Sequence, residues 1–237
     1  MHATVAPRSS LAQIRGMFAL LRPRQWVKNV FVFAPLIFAG EFLKLQSIEK
    51  VALAALIFCV ASSATYILND LTDIERDRRH PKKSKSRPLA SGLVSVTQAI
   101  TLLLILYVTL LAAWFVMSAV LYVVLGYLLL NLAYTFVLKH QPVIDIFTIA
   151  IGFVLRVYAG AMALSVPVSS WMFVTTLCLA LYLAAVKRGQ ELASNGSDSR
   201  EVLQHYTPAL IDRYAEMAAT GALLFYSLFV MTARPEM

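Results

Sequence analysis

The stretch Tyr66-Ile67-Leu68-Asn69-Asp70-Leu71-Thr72-Asp73-Ile74-Glu75-Arg76-Asp77 decides how the rest of the chain is read. It starts at the end of an apolar run and finishes in a block of Arg and Lys. Read as a helix, it places Asn69, Asp73 and Asp77 at i, i+4 and i+8, on one face, and Tyr66 extends that face one turn earlier. Three oxygen-bearing side chains stacked at the mouth of a membrane helix suit Mg²⁺, which takes hard oxygen ligands and usually keeps a phosphate in its shell. The plainer alternative is a helix end whose acids pair with neighbouring arginines.

The apolar run before this stretch is one of many. Of 237 residues, 59% are hydrophobic and 14% charged, against about a quarter charged in soluble domains. The chain therefore reads as an all-α, polytopic membrane bundle, a single domain over residues 1–237. No small-residue cleavage site follows the first apolar stretch, so no cleavable signal is expected. Cys59 and Cys178 sit inside apolar runs and read as buried small hydrophobes, with no disulfide framework. A net charge of +8 in such a chain reflects the positive-inside bias rather than a nucleic-acid partner.

Residues 1–21 read as a cytoplasmic lead-in carrying Arg8 and Arg15, with a short interfacial helix from Leu11 to Leu21. A first span follows Trp26, a headgroup-level anchor, and runs to Leu45; it is the weakest, bracketed by Lys28 and Glu41 and interrupted by Pro35. The second runs from Val51 to Asp70. The uncharged run from Thr97 to Leu138 would be about 63 Å long as a helix, twice a hydrocarbon core of about 30 Å. It must double back near Met117 and Ser118, giving spans three and four. Spans five, six and seven cover Val143–Leu164, Trp171–Val186 and Ala215–Met231, for a total of about seven. Loop charge tests that count. Basic residues collect in the lead-in, in Arg76–Arg87, at Lys139-His140 and in Lys187–Arg213, whereas the opposite loops hold Glu41, Lys44, Glu49 and Lys50 and then no charge. The basic side is cytoplasmic by the positive-inside rule.

Polar residues that are unusual in a membrane protein collect on that same side. After the Asn69, Asp73, Asp77 face comes a basic loop that ends Arg87-Pro88-Leu89-Ala90-Ser91-Gly92. Cations beside carboxylates suit a phosphorylated substrate with magnesium, although topological anchoring alone also explains such a loop. A second cluster is Tyr134, Lys139 and Asp145, flanking a turn at Pro142; the Lys and Asp either bind substrate or pair with each other. Arg156 lies three turns beyond Asp145, roughly 16 Å along the helix. A guanidinium at that depth faces a cavity or pins helices together, and the cavity wall is the preferred reading. The third cluster, Lys187-Arg188-Gly189-Gln190-Glu191, is either an ordinary i, i+4 surface pair or a second carboxylate with two phosphate-binding cations. No Walker loop, G-x-S-x-G, HExxH or Cys/His metal spacing is present, and His80, His140 and His205 have no ligating spacing.

Asn69-Asp70-x-x-Asp73-x-x-x-Asp77 followed by Arg87-Pro88-Leu89-Ala90-Ser91-Gly92 resembles the UbiA-type superfamily of intramembrane prenyltransferases, and the likeness covers nearly the whole chain. Leu21-Arg22-Pro23-Arg24-Gln25-Trp26-Val27-Lys28-Asn29, Gly152–Gly160 and Lys187-Arg188-x-x-Glu191 look like one branch, the decaprenyl-phosphate phosphoribosyltransferases. Ordinary members carry a second Asp-rich motif where this chain has Lys187–Glu191, and they usually have about nine spans. The resemblance implies an enzyme of the bacterial inner membrane that transfers 5-phosphoribose from phosphoribosyl diphosphate to a polyprenyl phosphate, for cell-wall arabinan. It implies Mg²⁺ on Asn69, Asp73 and Asp77, with Glu191 as a further acid in the catalytic set. Lys139, Arg87 and the Lys187-Arg188 pair would take phosphate oxygens, and Lys28 and Arg156 the lipid phosphate or cavity wall. Tyr66, Tyr134 and Asp145 complete the substrate-binding set. Partners would be the two substrates and membrane lipids, and self-association is left open. Two other readings remain: an aromatic prenyltransferase of the quinone or haem type, which a second Asp-rich motif would favour, and a transporter or scaffold, which would scatter ionisable residues through the bilayer.

Overall fold

A computed structural model describes residues 10–195 and 201–233. Arg8 and the rest of 1–9 in the lead-in, and the terminal Arg234-Pro235-Glu236-Met237, lie outside the described residues. All regular structure among the described residues is helical, as expected. In chain order there are α1 (Ser10–Leu20), a 3-10 helix (Pro23–Phe33), α2 (Ala34–Phe38), α3 (Leu45–Thr72), α4 (Ile74–Arg79), α5 (Lys83–Ser86) and α6 (Val96–Phe136). A 3-10 turn (Leu138–His140), α7 (Ile144–Leu164), α8 (Ser170–Asn195), a 3-10 helix (Glu201–His205) and α9 (Pro208–Ala233) follow.

Five of these helices are long and apolar enough to cross a membrane: α3, α6, α7, and the Ser170–Ala193 and Pro208–Thr232 stretches of α8 and α9. They carry predicted spans two to seven, because α6 is interrupted at Met117 (φ −141°, ψ 60°), where the pattern required a break. The first predicted span has a different form: its residues make the 3-10 helix and α2 rather than one long α-helix. Proline explains this locally. Pro35 has no N–H to donate and would disrupt a continuous helix, so it sits in the first turn of the restarted α2, where that donor is not needed.

The described residues form two compact units, one from 10–28 and 56–118, the other from 29–55, 119–195 and 201–233. In the first, Leu20 of α1, Ala64 and Ile67 of α3, Leu89 and Val94 of the connecting loop, and Ala99 and Leu103 of α6 make one buried cluster. The entry to the 3-10 helix is tied down by Trp26, whose indole N–H donates to Ser63 Oγ at 3.0 Å. Ser63 in turn donates to the Leu21 carbonyl at 2.9 Å. Trp26, expected to anchor among headgroups, is seen to fix α1 and the 3-10 helix against α3.

In the second unit Ile146, Ala184, Ala185, Leu203, Tyr206 and Ile211 form a core that joins α7, α8 and α9, and Phe31 meets Phe153 edge-on at 4.9 Å. The contact of Gly160 is the tightest point. A Cβ there would overlap the Val32 carbonyl oxygen and come within 3.2 Å of Pro35 Cδ. The obstacle is backbone, which cannot swing aside as a side-chain tip would. Gly160→Ala is expected to destabilise the fold by about 1–3 kcal/mol or more, read as an earlier melting transition of the purified protein in detergent. An unchanged transition would mean that this backbone contact is not present in solution.

Candidate functional site

The first polar cluster lies where α3 leaves its apolar segment. Thr72 Oγ1 donates back to the Leu68 carbonyl at 2.6 Å, a bond that bends helices. Asp73 then leaves helical geometry (φ −96°, ψ 10°) before α4 begins. The predicted continuous helix is therefore interrupted, yet its phase survives. The Asp73 N–H donates to the Asn69 carbonyl at 3.0 Å and the Asp77 N–H to the Asp73 carbonyl at 2.8 Å. Asn69, Asp73 and Asp77 remain on successive turns.

Two carboxylates of this segment, Asp70 and Asp77, are almost wholly buried, at 2% and 1% exposure. Charges at that depth require partners. Arg22 Nη2 donates to Asp70 Oδ1 at 2.5 Å, with its guanidinium 5.0 Å from the Tyr66 ring centroid. Arg87 Nη1 donates to the same Asp70 oxygen at 2.8 Å and also to Asp77 Oδ2. Lys83 Nζ stands 3.6 Å from Asp77 Oδ1. For Asp77 the arginine-paired alternative is thus what the structure contains.

The loop after Arg87 is built to hold it there. The Pro88 carbonyl accepts the N–H groups of Leu93 at 2.9 Å and Val94 at 3.1 Å, and Ser91 Oγ donates to it at 3.2 Å. Gly92 turns the chain at φ +68°, a conformation glycine adopts without strain. Leu89 pins the loop into the core. Among the described residues no three His, Cys, Asp or Glu side chains are grouped to hold a metal. An ion here would draw on the Asn69 amide oxygen and the Asp73 carboxylate, oxygen donors of the kind a hard divalent cation takes, and Asp77 would join them only by exchanging its Arg87 and Lys83 partners for the ion.

Asp70 and Arg22 were not among the expected site residues. The signal was available for Asp70, which lies seven residues before Asp77 and shares its helix face. Arg22 carries no such signal, because its partner is 48 residues away.

The second cluster joins α7 and α8. Asp145 is fully buried and its partner is Arg188, whose Nε donates to Asp145 Oδ2 at 2.6 Å. Arg188 Nη1 donates to Glu191 Oε2 at 2.5 Å, and Nη2 lies 3.5 Å from the Tyr134 hydroxyl. The expected Lys187–Glu191 neighbours are also present, 3.8 Å apart. Arg188 is therefore enclosed by Asp145, Glu191 and Tyr134. The exposed cation of that pair is Lys187. Likewise, Asp145 is held by Arg188 rather than by the nearby Lys139.

Tyr206, at the start of α9's approach, was missed. Its hydroxyl donates to Asp145 Oδ1 at 2.7 Å and accepts the Val143 N–H at 2.7 Å. Burial, and then the hydrogen bond to Asp145, push its pKa above the usual tyrosine value.

Arg156 is buried as expected, but it is used internally. Nε donates to Asn29 Oδ1 at 2.8 Å, Nη1 to the Gly152 carbonyl at 2.7 Å and Nη2 to the Tyr127 hydroxyl at 3.3 Å. Its guanidinium also lies 4.9 Å from the Tyr127 ring centroid. These bonds are of the kind that the helix-pinning alternative requires. Lys28 is half-buried in the 3-10 helix, and Lys139 half-buried in the turn before α7.

Comparison with known proteins agrees with this architecture. Residues 30–235 match the model of the UbiA prenyltransferase family. A decaprenyl-phosphate phosphoribosyltransferase of Mycobacterium tuberculosis is 37% identical over 224 residues, covering 91% of this chain and 74% of that protein. The protein of the same name from Mycolicibacterium smegmatis is 35% identical over 97% of this chain and 74% of its own length. Among solved structures, a UbiA homologue from Archaeoglobus fulgidus bound to GPP and Mg²⁺ superposes with a TM-score of 0.75 at 21% identity, covering 91% of this chain and 78% of that one. With its bundle of membrane-length helices, this chain is an integral membrane protein that belongs to the UbiA prenyltransferase family.

Proposed function

We propose that this chain transfers 5-phosphoribose from phosphoribosyl diphosphate to a polyprenyl phosphate of the decaprenyl type. The observation that carries this reading is the 35–37% identity to decaprenyl-phosphate phosphoribosyltransferases over more than nine-tenths of the chain. It is supported by the Lys187-Arg188-Gly189-Gln190-Glu191 cluster, which stands where aromatic prenyltransferases carry a second Asp-rich motif.

In the reaction the bond from the ribose anomeric carbon to diphosphate breaks, and a bond from that carbon to a lipid phosphate oxygen forms. Positive charge builds on the sugar and negative charge on the departing diphosphate. Mg²⁺, when bound, supplies Lewis-acid stabilisation of that negative charge. Asn69, Asp73 and Asp77 would hold the ion. Arg87, already beside Asp77, would turn its remaining N–H groups to phosphate oxygens, and Lys139 and Lys187 would add point charges. Lys28 would meet the lipid phosphate. Glu191, oriented by Arg188, and the Tyr134 hydroxyl offer an acceptor and a hydroxyl for the sugar. The acceptor phosphate is largely dianionic near pH 7, its second pKa being about 6, so no histidine base is needed. Transfer would occur at the cytoplasmic face of the bacterial inner membrane, with the isoprenoid open to lipid and the product supplying arabinan synthesis.

Membranes containing the protein, incubated with Mg²⁺, polyprenyl phosphate and ribose-labelled phosphoribosyl diphosphate, should move label into the organic phase. Chelation of divalent ions should stop this. Label that stays aqueous under all conditions would refute the reading.

A further inference from the structure

Val143 has a left-handed backbone in the turn between Lys139 and α7. It precedes α7 with φ +69° and ψ −48°, a backbone conformation that is costly for a β-branched residue and persists only where its surroundings hold it. The turn is closed by the Ile144 N–H donating to the Pro142 carbonyl at 2.8 Å, and from outside the turn the Tyr206 hydroxyl accepts the Val143 N–H and donates to Asp145. Asp145 takes Arg188 Nε on its other oxygen, and Arg188 holds Glu191. Hydrogen bonds thus run without interruption from the turn carrying Lys139, through Tyr206, to the end of α8 that carries Lys187 and Glu191. The Tyr206 ring is packed into the core formed by Ile146, Ala184, Ala185, Leu203 and Ile211, so its hydroxyl has a fixed position.

We infer that Tyr206 is a positioning residue for the phosphoribosyl donor, latching the turn before α7 to the end of α8 and, through Asp145 and Arg188, orienting Glu191. This rests on the phosphoribosyl reading for its choice of substrate, but the latch itself does not. Tyr206 is 5% exposed and its hydroxyl is engaged by Val143 and Asp145, so it acts through the segments that it joins. Its contribution comes from keeping two donor-binding segments in register, so its removal should weaken donor binding more than it slows the chemical step.

Tyr206→Phe keeps the ring in the core and removes only the hydroxyl. In Tyr206→Phe, KM for phosphoribosyl diphosphate should rise about tenfold, the equivalent of about 1.4 kcal/mol and within the range for a hydrogen bond to a charged group, with kcat and the polyprenyl phosphate KM changed less than threefold. If Tyr206 acts through Glu191, the effect should nearly vanish in a Glu191→Gln background, since groups in one network are not additive. Equal effects in both backgrounds, or a loss confined to kcat, would overturn the inference. Amide hydrogen exchange supplies a readout that needs no activity. Faster exchange at both 138–146 and 186–192 in Tyr206→Phe supports the latch, whereas faster exchange only around 203–207 overturns it. Wild-type protein that transfers no phosphoribose would instead remove the proposed function, leaving the exchange result to decide the latch alone.

Discussion

Asp73→Ala is expected to lower phosphoribosyl transfer by roughly 10²–10³-fold, the usual loss when one group that stabilises developing charge is removed. The residue stands between Asn69 and Asp77 on the segment where α3 gives way to α4. It is half-buried, whereas Asp70 and Asp77, which Arg87 ties together, are almost wholly enclosed. Its loss should therefore spare the fold. The variant should melt within about 2 °C of wild type, a shift corresponding to less than about 1 kcal/mol for a chain of this size. Raising Mg²⁺ should recover part of the activity if the residue serves as a ligand. Activity above a tenth of wild type would place the metal elsewhere, and a large drop in melting temperature would make Asp73 a structural residue.

The second large effect concerns Arg188, whose side chain is fully buried between Asp145 and Glu191. Arg188→Met fills similar volume but leaves the fully buried Asp145 carboxylate with an uncompensated charge. Breaking one partner of a buried pair costs about 3–5 kcal/mol, and a melting temperature lower by roughly 10 °C is expected. The informative control is Arg188→Met with Asp145→Leu. Removing both charges should cost less than the single change, because the uncompensated charge is gone. A double variant less stable than Arg188→Met would mean that the pair is not what stabilises the ends of α7 and α8. Arg188 was expected to bind phosphate directly. It is enclosed by Asp145, Glu191 and Tyr134 and holds Glu191 Oε2 at 2.5 Å, so its loss should affect stability and activity together.

The contrast between these residues shows what could be read from the chain. Hydropathy and length located α3, α7, α8 and α9, because a bilayer imposes the same minimum length on every crossing helix. The same rule required a break in the run containing α6, and it falls at Met117. The phase of Asn69, Asp73 and Asp77 was legible because helical hydrogen bonding is local and continues through the kink at Asp73. Long-range pairing was not legible. Asp145 pairs with Arg188, 43 residues away, although Lys139 is a nearer cation in sequence. Asp70 pairs with Arg22 across 48 residues. Periodicity says which face a side chain occupies, and the partner on the opposing helix is fixed only by packing. Tyr206 gave no signal, being a lone tyrosine in a polar connection. Arg156 was found by its depth, but depth alone does not distinguish a cavity wall from the bonds to Asn29, Gly152 and Tyr127 that it makes. The 3-10 helix at Pro23–Phe33 was not legible, because Arg24, Gln25, Lys28 and Asn29 interrupt the apolar pattern and leave no periodicity that separates a 3-10 helix from an α-helix.

The most direct test of the account compares two donors on one preparation. Purified protein in liposomes with Mg²⁺ is given either phosphoribosyl diphosphate with polyprenyl phosphate, or a prenyl diphosphate with an aromatic acid, and the lipid products are identified by mass. The account predicts a phosphoribosylated polyprenyl phosphate from the first pair, absent in Asp73→Ala, and no prenylated acid from the second. A prenylated aromatic acid with no phosphoribosyl lipid would contradict it and assign the chain to aromatic prenyl transfer.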